Sequence, residues 1–222
     1  MEQHGYQRET CRLCDSAELE VVLPLTATPL CDAYVSAERR QRTQATYPLD
    51  LYLCRTCGFV QLAYVVDPDV IYRDYLYVTA SSLGLADHFG QYADRVQQQL
   101  RLPAGSLVVD IGSHDGTLLG RFKDRGMRVL GIEPATRIAQ QATSAGIETL
   151  PDFFSAELAH RIASDYGRPQ LITINNLFAN IDNLVDLAAE IAELLASGGY
   201  LVIESSYLGD MIDNMVFDFI YH

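Results

Sequence analysis

Four cysteines arranged as two pairs are the residues best suited to metal chemistry in the N-terminal part of the chain. Cys11 and Cys14 form one Cys-x-x-Cys motif, Cys54 and Cys57 form a second, and 39 residues lie between the two motifs. Each such turn places two thiolates on one edge of a tetrahedron, so two turns complete a four-sulfur site. Because that site has no open coordination position, the pattern predicts structural zinc. The alternatives to structural zinc are an iron–sulfur centre and a redox-active cysteine pair.

The remaining cysteine and the first residues of the chain bear on the same prediction. Cys31 lies in the segment TPLCDAYV, distant in sequence from both motifs, and is expected to be small and buried or partly buried. The N-terminus is polar, without the apolar stretch of a signal peptide, and no apolar run approaches the roughly 20 residues of a membrane span. These features predict a cytoplasmic chain, in which clustered cysteines favour metal binding over disulfides.

A turn with two glycines is the second pattern that could do chemistry. Residues 107–117 read LVVDIGSHDGT, in which an apolar run ends at Asp110, and Gly112 and Gly116 follow. The pattern predicts a buried parallel strand, a tight turn and a helix whose free N–H groups point into the same crevice. Glycines there let the backbone approach a ligand closely. The spacing differs from the dinucleotide fingerprint Gly-x-Gly-x-x-Gly.

The next predicted strand supplies a second acid at the same edge. Residues 128–133 read RVLGIE and end at Glu133, whose carboxylate could accept hydrogen bonds from both hydroxyls of a ribose. Ligands of open parallel sheets bind beyond the carboxyl ends of the strands, so Asp110 and Glu133 mark a candidate nucleoside site. A generic α/β nucleotide fold, or a glycine turn that serves packing alone, is the alternative interpretation of these motifs.

Alternating strand and helix patterns predict an α/β fold with a doubly wound, mostly parallel sheet. The predicted strands cover residues 107–111, 129–132, 147–150, 170–175 and 200–204, and the predicted helices begin near Gly116, Ala135, Ser155 and Leu184. We therefore expect a Rossmann-like core over residues 105–222. A small zinc-binding module over residues 1–66 and a helical connector over 67–104 precede it.

Two further pairs of residues follow predicted strands. Asp152 could accept a hydrogen bond from an adenine amino group while Phe153 packs on the ring, or Asp152 could cap the next helix while Phe153 joins the core. Asn175 and Asn176 end the fourth predicted strand, where they could lie beside a bound cofactor or act as turn residues.

Together these motifs resemble those of the sugar C-methyltransferases, which have a class I S-adenosylmethionine-dependent core. The resemblance rests on the Cys-x-x-Cys motifs, a Tyr-small-Ser-Ser stretch from Tyr77, and the segments DIGSHDG, IEP, DFF, NNLFANIDN and ESSYLGD, and it covers nearly the whole chain. It implies an S-adenosylmethionine site whose residues are the following: Asp110, Gly112, His114, Gly116, Glu133, Pro134, Asp152, Phe153, Asn175 and Asn176.

The resemblance also implies a reaction, the C-methylation of a nucleotide-linked 4-keto-deoxysugar. A keto group acidifies the neighbouring C–H, a base removes that proton, and the enolate carbon attacks the sulfonium methyl group. Tyr77 matches the family's active-site tyrosine. Tyr221 matches the tyrosine of the family's Tyr-x-Glu-His motif, and both hydroxyls could donate to the keto oxygen or orient the base.

Two departures from the family pattern affect this implied reaction. Asn180 stands where the family commonly has histidine, and an amide cannot take up a proton at neutral pH. Members usually continue into a further C-terminal domain, whereas this sequence ends at His222. We therefore expect a truncated product or a fragment, with the general base encoded beyond residue 222.

The net charge and composition limit the classes of molecule that the chain is expected to bind. The net charge is −13 and no basic stripe is present, so nucleic acid is a poor partner, and the hydrophobic content of 49% is ordinary for a folded chain. A small-molecule substrate is expected, with a nucleotide-linked sugar implied by the resemblance. A methyltransferase with a different acceptor and a non-catalytic fragment that binds zinc and the cofactor are the competing hypotheses.

Overall fold

The computed structural model describes residues 4–31, 33–73, 83–217 and 219–221. Contacts between residues divide the chain into two compact units. The first contains Met1–Leu76, Asn180–Val185 and Ser206–His222, and the second contains Tyr77–Ala179 and Asp186–Ser205. This division differs from the three consecutive parts expected from the sequence, because residues 180–185 and 206–222 group with the N-terminal residues.

Short antiparallel strands form the framework of the first unit. Its N-terminal elements are β1 (Gly5–Gln7), β2 (Leu19–Leu23), β3 (Leu51–Cys54), β4 (Val60–Leu62), β5 (Tyr64–Val66) and α1 (Pro68–Tyr72). β2, β3 and β4 form one sheet, and β1 pairs with β5. The Asp67 carboxylate accepts a hydrogen bond from the N–H of Asp69 at 3.0 Å and caps α1.

A parallel sheet with crossover helices forms the second unit and confirms the predicted α/β fold class. In chain order the elements are α2 (Leu85–Leu100), β6 (Leu107–Ile111), α3 (Thr117–Lys123), β7 (Arg128–Ile132), α4 (Thr136–Ser144), β8 (Thr149–Leu150), α5 (Ala156–Asp165), β9 (Leu171–Asn175), α6 (Leu184–Leu194) and β10 (Tyr200–Glu204). The strand order is β10-β9-β6-β7-β8, and every pairing is parallel. All five carboxyl ends therefore lie at one edge.

Apolar periodicity accounts for the packing of this unit. All residues of β6 are buried, which is the pattern of a central strand covered on both faces. Phe89, Ala93 and Val96 recur at helical spacing on α2 and pack with the fully buried Phe122 of α3. No helix in the described part of the chain has the length and apolarity needed to cross a membrane.

The third predicted strand of the core is shorter than expected. β8 begins at Thr149 rather than at residue 147. The N–H of Ile147 donates to the carbonyl oxygen of Ala142 at 2.9 Å, and Gly146 has a left-handed φ of 89°. Residues 146 and 147 therefore belong to the turn that ends α4, and their backbone is not available for the sheet.

The C-terminal residues complete the apolar core of the first unit. After β10 the chain forms α7 (Leu208–Asp213). Met211 of α7 and Ile220 are buried in one cluster with Leu51 of β3. Because two short sheets enclose little apolar volume, these contacts explain why residues 206–222 group with the first unit and not with the parallel sheet.

Candidate metal centre and cofactor site

Two turns with matching backbone geometry present the four cysteines. In the first turn the N–H of Asp15 donates to the carbonyl oxygen of Cys11 at 2.9 Å. In the second, the N–H of Gly58 donates to the carbonyl oxygen of Cys54, also at 2.9 Å. Asp15 and Gly58 both adopt left-handed backbone, with φ of 56° and 77°. Glycine makes the second turn predictable from sequence, whereas nothing in the residue type identifies Asp15.

The sulfur atoms of the two turns converge as a tetrahedral metal requires. All four Sγ atoms lie within 4.8 Å of one another. The Sγ atoms of Cys11 and Cys57 are 3.7 Å apart, as are those of Cys14 and Cys54. Zinc–sulfur bonds of about 2.3 Å imply a sulfur–sulfur separation of about 3.8 Å. The residues therefore fit a zinc ion, and each close pair joins one cysteine from each motif.

Backbone N–H groups of the second turn favour the thiolate that a metal needs. A hydrogen bond from the N–H of Cys57 is the main reason that the pKa of Cys54 falls to about 6. The N–H of Thr56 contributes in the same direction, and burial opposes both. Such hydrogen bonds to ligand sulfur orient the ligand and stabilise its charge.

Cys31 stands apart from this centre, as expected, but its environment was predicted wrongly. It is not a member of the four-sulfur cluster. Its side chain is exposed rather than buried or partly buried. The surrounding segment is mostly exposed irregular chain, so the apolar residues near Cys31 do not form a local core.

The parallel sheet brings the second set of predicted residues to one edge. Asp110 of β6 is aligned with Gly131 of β7 on one side and with Thr173 of β9 on the other. Glu133 follows β7 directly, and Asn175 is the last residue of β9. The carboxyl ends of three neighbouring strands thus carry the acids and the amide that the sequence predicted to lie close together.

Asp110 is held inside this edge. Its side chain is 4% exposed, and the hydroxyl of Thr173 donates to its Oδ1 at 2.6 Å. Burial raises the pKa of Asp110 to about 7, the Thr173 hydrogen bond opposes the rise, and the negative charge of Glu133 adds to it. The carboxyl group is therefore near its midpoint of titration at neutral pH.

Glu133 connects the two loops that border the crevice. Its Oε2 accepts from the N–H of His114 at 3.1 Å, and its Oε1 accepts from the N–H of Ala135 at 2.8 Å. Burial raises its pKa, while these two backbone hydrogen bonds lower it. Each carboxylate oxygen keeps further accepting capacity. The half-buried Pro134 lies between the two attachment points.

The two glycines of the turn are required by backbone conformation and by packing. Gly112 and Gly116 have left-handed φ values of 77° and 76°. A Cβ atom on Gly112 would lie 2.7 Å from the Leu177 side chain, and one on Gly116 would lie 3.0 Å from Ile147. The packing role that the sequence left open is therefore real, and close approach to a ligand stays a prediction.

The turn between these glycines is more internally bonded than expected. His114 adopts a left-handed φ of 54°, and its imidazole Nδ1 is 4.0 Å from the Asp115 carboxylate. The N–H and hydroxyl of Thr117 both donate to Asp115 Oδ1, at 3.1 Å and 2.6 Å. The expectation of free N–H groups at the start of α3 is thus wrong for Thr117, because the Asp115 carboxylate accepts from its N–H, whereas the N-cap residue itself is Gly116.

The region after β8 resolves one of the alternatives left open by the sequence. Ser155, not Asp152, caps α5, and its hydroxyl accepts from the N–H of Leu158 at 3.2 Å. Asp152 is exposed, and its Oδ1 accepts from the N–H of Phe153 at 2.9 Å. Phe153 is half-buried. Contact of this pair with an adenine ring stays a prediction.

Asn175 presents polar atoms that the described residues satisfy poorly. Both the nitrogen and the oxygen of its side-chain amide are shielded from solvent and make no well-formed hydrogen bond to any described residue, although the Tyr92 hydroxyl is close enough to interact with the amide. Asn176 is exposed, has a left-handed φ of 54°, and donates its N–H to the carbonyl oxygen of Glu204 at 2.7 Å. Asn176 has the backbone conformation of a turn residue. Contact of Asn175 and Asn176 with a ligand stays a prediction.

Helix α2 places two residues near the acids of this edge, Tyr92 and His88, that the sequence did not identify as candidates. The Tyr92 hydroxyl is buried, and burial, together with the charges of Asp110 and Glu204, raises its pKa. The imidazole Nε2 of His88 is 2.8 Å from the Glu204 carboxylate. Helical periodicity identified Tyr92 only as part of an apolar face, and no motif indicated His88.

The residues predicted to act on the acceptor are described only in part. Tyr77 lies outside the described residues. Tyr221 is half-buried in the first unit, next to the buried Ile220. Asn180 ends the short 3-10 helix Phe178–Asn180 and also groups with the first unit.

Two family models match consecutive parts of the chain. Residues 85–218 match a family model described as a methyltransferase domain. Residues 11–72 match a family model described as a candidate zinc binding domain. The first match contains the whole parallel sheet, and the second contains all four clustered cysteines.

Individual relatives are similar to the chain over different extents. C-methyltransferase NovU of Streptomyces niveus is 32% identical over 214 residues, which are 96% of this chain and 51% of NovU. The chain thus spans about half the length of this curated relative. The solved structure of plantazolicin methyltransferase BpumL with a pentazolic desmethylPZN analog and SAH aligns with a TM-score of 0.50 and 14% identity, covering 64% of this chain and 58% of that one. This last likeness shows the fold alone.

The four-sulfur geometry predicts one zinc ion per chain. Cys57→Ser should abolish retention of that zinc, because it removes one of four ligands from a closed site. Cys31→Ser is the matched control and should retain full zinc content, because Cys31 is not part of the cluster. Elemental analysis of the purified variants measures both. Full zinc in Cys57→Ser, or loss in Cys31→Ser, would contradict the assignment.

The buried Asp110 predicts a specific pH dependence of stability. The native state binds its proton more tightly than the unfolded chain does, so stability falls as pH rises from about 4 to about 7. Asp110→Asn keeps an acceptor for Thr173 and removes the charge. We therefore compare the free energy of unfolding of the variant with that of the wild type at two pH values. The difference, variant minus wild type, should be about 3 kcal/mol larger at pH 8 than at pH 4.5.

Urea unfolding at the two pH values measures this difference. Asp165→Asn serves as the control, because the Asp165 side chain is exposed at the end of α5. A stability gain for Asp110→Asn that is the same at both pH values would show that the Asp110 charge is not disfavoured in the native state.

Proposed function

Because the chain belongs to the family of methyltransferase domains, we propose that it transfers a methyl group from S-adenosylmethionine to carbon of a nucleotide-linked 4-keto-deoxysugar. The similarity to a C-methyltransferase over 96% of the chain supports carbon as the accepting atom. The match covers only 51% of that relative, so the activity of the whole protein is proposed here and not taken from the relative. We also propose that the protein is cytoplasmic, because its clustered cysteines are suited to binding a metal.

The observation that carries the proposal is the poorly satisfied amide of Asn175 at the sheet edge. Among the described residues this shielded amide makes no well-formed hydrogen bond and interacts only loosely with the Tyr92 hydroxyl, which costs free energy unless a ligand satisfies it. Asn175 ends β9, in the same row of carboxyl ends as Asp110 and Glu133. This is the position at which open parallel sheets bind nucleoside ligands.

The residues around this edge fit a nucleoside cofactor. Glu133 would receive the ribose hydroxyls on the oxygen lone pairs that its two backbone hydrogen bonds leave free. Asp152 and the half-buried Phe153 would receive the adenine amino group and ring. When bound, S-adenosylmethionine supplies an electrophilic methyl group on a positively charged sulfur. Asn175, and Asp110 when ionised, would provide polar atoms toward it.

The glycine turn would position this cofactor rather than react with it. The remaining predicted contacts are His114, Gly112, Gly116, Pro134 and Asn176. The N–H of His114 donates to Glu133, and we propose the residue as a loop contact and not as a base. The rigid bonding of this turn means that little ordering is needed when a ligand binds.

The acceptor chemistry requires an acidic C–H next to a carbonyl group. A 4-keto sugar provides it, because the enolate formed on deprotonation delocalises its charge onto the keto oxygen. Tyr77 and Tyr221 are proposed to donate hydrogen bonds to that oxygen or to orient the base. Zinc at the four cysteines would stabilise the first unit and leave no coordination position for substrate.

A methyltransferase with another small-molecule acceptor is the second candidate. It is favoured by Asn180, which occupies the position where the resembling family commonly has histidine and which cannot act as a base. Both candidates share the cofactor site and differ only in what is methylated.

A product assay with a panel of nucleotide-linked 4-keto sugars tests the proposal. The chain, and the longest natural chain that contains it, are incubated with each sugar and 13C-methyl-labelled S-adenosylmethionine, and the products are analysed by NMR. We expect a new carbon–carbon-bonded methyl group next to the ketone. In deuterated water with S-adenosylhomocysteine, we also expect exchange of that C–H, because deprotonation precedes transfer.

The matched control is the corresponding sugar with a hydroxyl in place of the ketone, which should give neither product nor exchange. A methyl group on oxygen or nitrogen would overturn carbon transfer. Absence of methylated product with every keto sugar, by a chain that methylates a different acceptor, would favour the second candidate.

A further inference from the structure

The Asp182 carboxylate is bound by three side chains from the start of the chain. Nη1 of Arg8 donates to both of its oxygens, at 3.0 Å and 2.9 Å, and the Tyr6 hydroxyl donates to Oδ2. Nη2 of Arg12 lies 3.7 Å from Oδ1. All of these residues belong to the first unit. A carboxylate with this many charge-assisted partners is held far more firmly than an exposed ion pair.

Arg12 connects this carboxylate to the metal turn. It lies between Cys11 and Cys14 in the sequence, and its side chain is 9% exposed. Its Nη2 donates to the carbonyl oxygen of Leu62 at 2.8 Å, and its N–H donates to the side chain of the buried Gln61 at 2.9 Å. The guanidinium is thus fixed at the first cysteine turn by contacts with β4.

Arg12 depends on the negative charge of Asp182. Its side chain is 9% exposed, and its Nη2 has Oδ1 of Asp182 as counter-charge at 3.7 Å. Without Asp182, a largely buried cation next to a metal ligand would lose this counter-charge, which disfavours the arrangement of that turn.

Asp182 lies in a short segment, residues 180–185, whose flanking residues on both sides belong to the other unit. Residues 180–185 group with the first unit, whereas residues 176–179 and α6 from residue 186 onward belong to the second. Only residues 176–179 separate this segment from Asn175 at the end of β9. Whatever orders residues 180–185 therefore limits the conformations open to the chain that leaves the candidate cofactor edge.

We propose that Asp182 is a positioning residue that couples the four-cysteine metal site to the order of residues 180–185 through Arg12 and Arg8. The metal fixes the Cys11–Cys14 turn, the turn fixes Arg12, and Arg12 with Arg8 fixes Asp182. Consequences of this coupling for methyl transfer rest on the function proposed above. The coupling itself does not, because it concerns only metal retention and the order of one segment.

Coupling between two sites is reciprocal, so it can be measured from the metal side. Asp182→Asn should release zinc to a colorimetric chelator at least about tenfold faster than the wild type, the effect of losing one charged hydrogen-bond partner. Asp182→Glu retains the carboxylate and should restore release to within about twofold of the wild-type rate. Restoration by Asp182→Glu separates the charge contact from a general packing defect.

The other cysteine turn provides a matched control. Arg55 lies between Cys54 and Cys57 as Arg12 lies between Cys11 and Cys14, and it forms an ion pair with Glu20. Both side chains of that pair are more than half exposed, at 58% and 51%. Glu20→Gln removes an equivalent counter-charge from an exposed site and should leave the zinc release rate within about twofold of wild type.

Amide hydrogen exchange in residues 180–185 measures the effect of the coupling on the order of this segment. In zinc-loaded Asp182→Asn, amides of residues 180–185 should exchange faster than in the wild type, while those of β3 and β6 should be unchanged. If Asp182→Asn does not fold, Arg8→Gln removes the same bidentate contact from the other partner. The Arg8→Gln, Asp182→Asn double variant should release zinc no faster than the faster single variant, because both changes break one interaction.

Zinc release from Asp182→Asn at the wild-type rate, or equally fast release from Glu20→Gln, would overturn the proposal. So would unchanged exchange in residues 180–185 of the loaded variant. None of these readouts uses cofactor or substrate. A chain that fails to bind S-adenosylhomocysteine but passes these tests would disprove the proposed function and leave the coupling intact.

Discussion

The carboxylate of Glu133 is the interaction on which the geometry of the candidate cofactor site depends. One oxygen binds the N–H of His114 in the glycine turn, and the other binds the N–H of Ala135 at the start of α4. These two loops follow neighbouring strands, and a single side chain sets the distance between them. Because Glu133 is 6% exposed, burial raises the pKa of this carboxylate, and the two N–H donors oppose that rise by stabilising its charge.

The two units use different physical means to reach a stable fold. The parallel sheet buries its central strand on both faces and draws its stability from this apolar packing. The N-terminal unit has short strands and a small apolar cluster that recruits Met211 and Ile220 from the far end of the chain. A closed metal site supplies what such a small core lacks, and charged side chains beside the cysteines connect that site to residues distant in sequence.

Regular spacing of apolar residues and of cysteines made much of this structure predictable from the sequence. The alternation of apolar strands and periodic helices predicted the parallel sheet, and paired cysteines predicted the metal cluster, because both depend on local spacing. Contacts between distant segments could not be predicted in this way. Asp182 looks like an ordinary loop acid in the sequence, because its partner Arg8 lies 174 positions away along the chain. The same applies to His88 and Glu204, separated by 116 residues.

Local hydrogen bonding also decided details that residue type left open. Ser155 rather than Asp152 caps α5, and the Asp115 carboxylate accepts from the N–H of Thr117 at the start of α3. The grouping of residues 206–222 with the N-terminal unit followed from apolar contacts that no periodicity encodes. Roles of Tyr77 and Tyr221 on an acceptor stay predictions from resemblance.

The central claim is that the edge bounded by Asp110 and Glu133 binds the cofactor, and calorimetric titration with S-adenosylhomocysteine tests it most directly. We predict micromolar binding by the zinc-loaded chain, at least tenfold weaker binding by Glu133→Ala, and unchanged binding by Glu157→Ala, whose side chain is exposed on α5. Circular dichroism establishes that each variant is folded. Absence of binding by the folded, zinc-loaded chain, or equal binding by Glu133→Ala, would contradict the account.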